Sequence, residues 1–182
     1  MPRVTEITEA GGEPTLESIF EKERELFGDL LNPTKVLAHC PPILRAAKLL
    51  GASIEQSGRL PKSLLPLIYL RVATLNGCPF LIDINSLRVR ESDEGEARLA
   101  DVNRWRESAR FSASERTALE YAERMSITCQ KIDDALFTRL KEHFTEQQIV
   151  ELTAAIALEN FRSKFNPALG IEAQGFCIVP GR

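Results

Sequence analysis

The residues best suited to chemistry stand in one five-residue run, Asn76, Gly77, Cys78, Pro79 and Phe80. Proline favours the first position of a helix, where its missing N–H leaves nothing unsatisfied. Cys78 then falls at the N-cap, against the positive end of the helix dipole. A thiol in that setting has its pKa drawn down and carries more thiolate at neutral pH. The same residue also reads as a small hydrophobe buried at a helix junction, since cysteine is among the most buried residue types. The run alone leaves both readings open.

Helical geometry extends the candidate site. Asn85, seven residues on, returns to within about 20° of Cys78 around the helix axis, whereas Asp83 stands about 140° away. Ile82 fills the same stripe. Cys78, Leu81, Ile82 and Asn85 would line a pocket that is apolar apart from one thiol and one amide, which suits a small apolar ligand. Asp83 is expected to hydrogen-bond between helices of the bundle. Arg71 lies within an apolar run and needs an ion-pair partner or a solvent-facing edge. Arg88 and Arg90 fit a solvated helix end, where cations complement the dipole.

The remaining candidates point away from metal chemistry. Cys40, Cys78, Cys129 and Cys177 are 38, 51 and 48 residues apart, so no C-x-x-C pair and no zinc-ligand spacing exists. His39 and His143 are the only histidines. His39 reads as a capping or packing residue, and His143 as a helix-end cation. No metal and no cofactor are expected. Either Cys40 or Cys177 could resolve an oxidised Cys78, but no spacing favours it. Trp105, between two arginines, reads as a packing anchor.

The elements that must position these residues are helical. Residues 1–14 read as an extended tail with Gly11, Gly12 and Pro14 as breakers, and residues 15–182 as one domain. Leu16, Ile19, Phe20, Glu23, Leu26 and Phe27 follow a 3-4 spacing, and Gly28 can end that helix. Asn32-Pro33 opens a short second helix, and Pro41-Pro42 a third that runs through Leu50 to stop before Gly51. Pro61 opens a nearly all-apolar, hence central, helix to Leu75. Pro79 opens another to about Arg90. Residues 91–111 read as a polar helix with loop around it. Ser112 and Glu115 form a capping box, as do Thr145 and Gln148. They open helices carrying Leu119, Ala122 and Met125, and Ile149, Leu152, Ala155, Ile156 and Asn160. Between them Asp133–His143 gives one more, and Phe165-Asn166-Pro167 ends the last. No period-2 run is bounded by hairpin signals, so the expected fold is all-α, with about seven to nine helices.

Composition excludes several classes. At 182 residues the chain can bury roughly 70% of its unfolded surface without disulfides or metal. A hydrophobic share of 43% with 27% charged residues excludes a disordered chain. A net charge of −3 leaves no cationic surplus for phosphates, so nucleic acid is not an expected partner. The longest apolar stretch, residues 64–70, is far short of the ~20 residues that a spanning helix needs. Residues 1–13 carry four charged side chains and no apolar core of a secretion signal. No membrane association and a cytoplasmic location, with reduced thiols, are expected.

The stretch LRVATLNGCPFLIDIN over residues 70–85 resembles the core of the carboxymuconolactone decarboxylase/AhpD-like alkylhydroperoxidase family. HFTEQQIVELT over 143–153 and FNPALG over 165–170 are similar to its closing helix and exit, and LFG at 26–28 with VLAHCP at 36–41 to its N-terminal extension. The resemblance implies an AhpD-like helical bundle that assembles as a dimer, trimer or hexamer. It also implies a peroxidase-related, antioxidant protein whose relatives use a Glu, a C-x-x-C pair and a His as a relay. Carried over, the first Cys is Cys78, the peroxide-attacking Cys position holds Leu81, the His position Asn85 and the Glu position Pro66. Three of the four groups are replaced. The disulfide cannot form without a neighbouring thiol, and no base of the family kind remains. The family's decarboxylase branch lacks the cysteine pair too and takes a small dicarboxylate lactone, for which Arg71, Arg88 and Arg90 would be the nearest cations. Two functions follow: a member without two-cysteine activity that binds a small apolar ligand in a pocket of Leu81, Ile82, Asn85 and Pro66, or a one-cysteine thiol peroxidase using Cys78 on a hydroperoxide.

Overall fold

The computed structural model describes residues 1–177. Among them the fold is helical, with no strand: α1 (Pro14–Phe27), α2 (Asn32–Leu37), α3 (Pro41–Ser57), α4 (Leu64–Leu75), α5 (Pro79–Arg90), α6 (Gly95–Asp101), α7 (Ala113–Ser126), α8 (Asp134–His143) and α9 (Glu146–Ala168), with a 3-10 turn at Val102–Arg104 after α6. The all-α fold expected from the sequence, with about seven to nine helices, is the observed one.

The central element is α4. Nine of its residues, Leu64 to Leu70 with Val72 and Ala73, are buried, and it packs against α5, α7 and α9. A helix apolar on every side requires neighbours on every side. The apolar surface of α4 is therefore covered within the chain, whereas Ile82, Ile84 and Leu87 of α5 are half-buried. Exposed apolar side chains sit instead on α3 at Ile43, Leu49 and Leu50 and on α9 at Val150 and Phe161.

Local chemistry sets most boundaries. Both capping boxes form: Ser112 Oγ accepts from the Glu115 N–H while Glu115 accepts from Ser112 N–H, and Thr145 and Gln148 do the same. Gly28 ends α1 in the left-handed region, φ 78°, where a side chain would be strained.

Three boundaries differ from the sequence expectation. Helix α3 runs through Gly51 to Ser57. Gly51 is helical and serves packing: a Cβ there would collide with the Arg162 guanidinium from α9. Helix α4 starts at Leu64, not Pro61, and Pro66 in its first turn loses no bond, because that N–H has no acceptor. Pro167 lies inside the last turn of α9. Residues 91–111 hold the short polar helix α6 and the 3-10 turn with loop around them, as expected.

The first thirteen residues are docked rather than free. Arg3 N–H donates to Leu169 O and Ile7 N–H to Lys35 O, and Ile7 packs on the cluster of Leu16, Phe20, Leu30 and Leu44. Glu23, which sits on the apolar stripe of α1, is buried for a reason: it accepts from Leu31 N–H at 2.9 Å and Thr34 Oγ1 at 2.7 Å and pairs with Lys48. One carboxylate thereby ties α1, α2 and α3 together. None of the described helices is long and apolar enough to cross a membrane.

Candidate functional site

Cys78 is the N-cap of α5, with extended backbone at φ −95°, ψ 103°. Its side chain is 0% exposed and packs with Leu31, Val36, Ala73 and Ile171. Asn166 Nδ2 from α9 lies 3.7 Å from Sγ. The expectation of a depressed thiol pKa is corrected here. Burial pushes the Cys78 thiol up, outweighing the N–H of Leu81 and the Asn166 amide. A helix terminus offers about half a unit charge, which does not compensate complete removal of a thiolate from water.

Beside this buried thiol a cavity of ≈ 450 Å³ opens between α2, α3, α5 and α9. Leu31, Leu44, Phe80, Leu81, Ile84 and Phe165 form apolar walls, and Phe27 and Phe161, both exposed, stand at its edge. Leu81 and Asn85 thus line one cavity. Ile82, Pro66 and Cys78 do not: Ile82 is half-buried against neighbouring clusters, Pro66 is buried within α4, and Cys78 lies behind the wall.

One end of the cavity is polar. Asn85 is 2% exposed and its Nδ2 donates to Glu159 Oε1 at 3.0 Å. Glu159 is 1% exposed, with Arg162 Nη1 3.7 Å from its second oxygen. Burial pushes the Glu159 carboxyl up to about 7, against the pull of Arg162, the Asn85 bond and Arg88. Tyr69 reaches the same end from α4. Its ring lies under the Arg88 guanidinium, 5.8 Å from centroid to carbon, and its hydroxyl is buried with no hydrogen-bond partner. Burial keeps that hydroxyl protonated, with Arg162 opposing. An unpaired buried hydroxyl costs about 1–3 kcal/mol, so it marks a place where a partner is expected.

The sequence reading passed over Glu159, Tyr69 and Arg162. Glu159 did leave a signal, because it continues the 3-4 stripe Leu152, Ala155, Ile156 of α9, and a carboxylate on a buried stripe requires a reason. Tyr69 left none within its apolar run.

The other polar candidates are structural. Arg71 pairs with buried Glu123 at 2.7 Å and donates to Asn103 Oδ1. Trp105 is buried and its Nε1 donates to the same Glu123 at 2.8 Å. Arg88 pairs with Glu55 at 3.0 Å and Arg90 with Glu96. Asp83 does not join helices. Its carboxylate accepts the backbone N–H groups of Gln174, Gly175, Phe176 and Cys177 at 2.7–3.0 Å, because the chain returns past α5 after α9. His39 Nε2 lies 2.8 Å from Thr5 O. A second hollow of ≈ 690 Å³, beside Asp93, Arg98, Asp101 and Arg110, is open and polar, and its charges already neutralise one another. Among the described residues no cluster of three His, Cys, Asp or Glu could hold a metal ion.

Comparison with known proteins places this arrangement. The chain is 39% identical over 158 residues to the uncharacterised protein YnjA of Escherichia coli (strain K12), covering 86% of this chain and 87% of that one. Among solved structures, a peroxidase-related protein with an alkylhydroperoxidase AhpD core from Ralstonia eutropha JMP134 superposes with a TM-score of 0.84 at 19% identity, over 99% of this chain and 98% of that one. The debrominase Bmp8 gives 0.82 at 20% identity, over 95% and 93%, and a cysteine variant of Bmp8 has been solved with 2,3,4-tribromopyrrole. The sequence pattern of the carboxymuconolactone decarboxylase family matches residues 41–124, from the start of α3 into α7, and this chain belongs to that family.

Proposed function

We infer that this chain is a family member without two-cysteine alkylhydroperoxidase activity, and that it binds a small, largely apolar ligand in the cavity between α2, α3, α5 and α9. The observation that carries the reading is the cavity itself: apolar walls at ≈ 450 Å³, one polar end, and Leu81 where the relay would have its attacking thiol. Such a volume suits a single-ring molecule. The tribromopyrrole complex of Bmp8 is a precedent for a small ring in this fold, though at 20% identity.

The alternative, a one-cysteine peroxidase, requires hydroperoxide to reach a Cys78 sulfur that is 0% exposed and held as the thiol. Two measurements decide. Hydroperoxide consumption by the purified protein is expected to match free thiol and to be unchanged by Cys78→Ser. Small aromatic compounds are expected to raise the melting temperature in a saturable way, and Leu81→Trp, which fills the cavity, to abolish the rise. Rapid peroxide turnover lost in Cys78→Ser would sink the reading. We also place the chain in the cytoplasm, where its four free thiols stay reduced, and read it as a homo-oligomer that covers Ile43, Leu49 and Leu50.

A further inference from the structure

The polar end of the cavity combines three features that a purely apolar ligand would not use. The Tyr69 hydroxyl is a buried donor with no acceptor. Glu159 lies in the same wall, 1% exposed, with its second oxygen only loosely held by Arg162 at 3.7 Å. Asn85 fixes the first oxygen at 3.0 Å and so orients the carboxyl.

The groups around Glu159 come from every packed element. Arg162 is on its own helix, Asn85 and Arg88 on α5, Tyr69 on α4, and Glu55 of α3 occupies Arg88 at 3.0 Å. Lys48 of α3 is taken by Glu23. Glu91, at the end of α5, also lines the cavity, and the nearest cation to Glu159 is Arg162 on its own helix, at 3.7 Å.

We propose that the cavity is a proton-transfer site for a small ring compound bearing an acidic hydroxyl, a phenol or an enol, in which Glu159 takes the hydroxyl proton and Tyr69 donates to the oxygen left behind. The inference rests on the ligand-binding reading and names the ligand's chemistry. In the step, the ligand O–H bond breaks and a new O–H bond forms on a Glu159 oxygen. The electron pair stays on the ligand oxygen, which accepts the Tyr69 hydrogen bond and faces Arg162. Charge moves from Glu159 to the ligand, and nothing is oxidised or reduced. A carboxyl held near neutrality by burial has the proton affinity for such an exchange. An acidic hydroxyl also explains why one cavity is lined by a buried unpaired donor and a buried carboxylate, where a hydrocarbon would leave the donor unpaired.

The test uses 4-nitrophenol, whose ionised form absorbs in the visible, and nitrobenzene, which lacks the hydroxyl. Both are titrated against the full-length protein at a pH about one unit above the midpoint of free 4-nitrophenol, where the Glu159 carboxyl, raised to about 7, has mostly lost its proton before binding. Wild type is expected to bind both, to keep the nitrophenolate band on the bound probe and to take up close to one proton per nitrophenolate bound, read from the buffer dependence of the binding heat. Glu159→Gln is expected to take up none while nitrobenzene still binds. Tyr69→Phe is expected to weaken 4-nitrophenol about tenfold, the worth of one hydrogen bond to a charged acceptor, without changing nitrobenzene. Equal binding of both probes with no ionised band, or proton uptake that survives Glu159→Gln, overturns the proton-transfer site and leaves the ligand cavity standing. Failure of both probes to bind overturns the two together.

Discussion

Asn85 and Glu159, seventy-four residues apart, meet through one amide–carboxylate hydrogen bond of 3.0 Å that joins α5 to α9 inside the fold. Both side chains are almost fully buried. The resemblance sets Asn85 where the family relay would have its histidine, and in this chain that amide pairs with a carboxylate from another helix.

The Glu159 carboxyl has a pH signature in stability. Its folded pKa, about 7, lies above the ordinary 4.5. The unfolded chain then holds fewer protons than the native one between those values, and stability falls as pH rises through that window. The full loss approaches about 3 kcal/mol at 1.36 kcal/mol per pH unit. Denaturant unfolding of the wild type is expected to weaken from pH 5 to pH 8, and Glu159→Gln to be nearly flat across it. A wild-type profile as flat as the variant's would contradict the buried carboxyl.

Cys78 is expected to be the slow thiol. Cys40 and Cys129 are exposed while Cys78 is buried with its pKa raised. Alkylation of the native protein followed by mass mapping should label Cys40 and Cys129 first and Cys78 only on unfolding. Cys78→Ser should leave the fast phase unchanged and destabilise by about 1–2 kcal/mol, because a hydroxyl replaces a sulfur among apolar side chains. Fast labelling of Cys78 in the folded state would reopen the one-cysteine reading.

Much of the architecture could be read from short-range chemistry. Pro79 and the charges after Arg90 bounded α5, and the two capping boxes opened α7 and α9, because caps and helix-starting prolines act within four residues. Gly51 misled, since this glycine lies inside a helix, where a Cβ would meet the Arg162 guanidinium from a helix more than a hundred residues later. Of the site, Leu81 and Asn85 were legible from helical spacing and the resemblance. Cys78 was placed at its helix end, but its pKa direction depended on burial that no local pattern reports. Glu159 and Tyr69 become site residues only through partners on other helices, and sequence spacing does not encode those contacts.

Asp83 holds the segment after α9. Four backbone N–H donors converge on its two oxygens, and Phe176 is thereby set edge-on to Phe27 and Phe80 at 6.3 and 6.2 Å. Hydrogen bonds to a charged acceptor contribute more than neutral ones. Asp83→Ala is expected to lower stability by about 2–4 kcal/mol and to speed proteolysis near residue 174, while Asp83→Asn recovers part of both. Unchanged cleavage in Asp83→Ala would show that the aromatic contacts suffice.

Glu123 sets the acid limb. Burial raises its pKa, yet hydrogen bonds from Arg106 and Trp105 and the Arg71 charge outweigh that and hold it below the ordinary value. A depressed carboxylate contributes stability above its unfolded pKa and loses it as pH falls through the folded one. Glu123→Gln is expected to cost about 3–5 kcal/mol at neutral pH, because two arginines and an indole lose their shared acceptor. The loss should shrink only at pH values below the ordinary carboxylate range, as the depressed wild-type carboxylate is itself protonated. Equal losses at neutral and acid pH would show that Glu123 acts through packing alone.

On the proposed reading, the relay that the resemblance implies can be rebuilt, and the order of its recovery is informative. Leu81 is 6% exposed and lies in the cavity wall one turn after Cys78, so Leu81→Cys puts a thiol where a cavity ligand reaches it and next to a possible disulfide partner. Alone it should form that disulfide under peroxide but turn over slowly, since general acid–base help is typically worth 10²–10⁴-fold and is absent. Adding Asn85→His sets an imidazole beside Glu159 and should recover about 10²-fold, because that carboxyl can orient and charge the ring. Pro66→Glu should add little, as Pro66 is buried within α4 and outside the cavity lining. Hydroperoxide consumption with a dithiol reductant measures all three. Strong recovery from Pro66→Glu and none from Asn85→His would mean that the family's proton path still runs through α4 and not through Glu159.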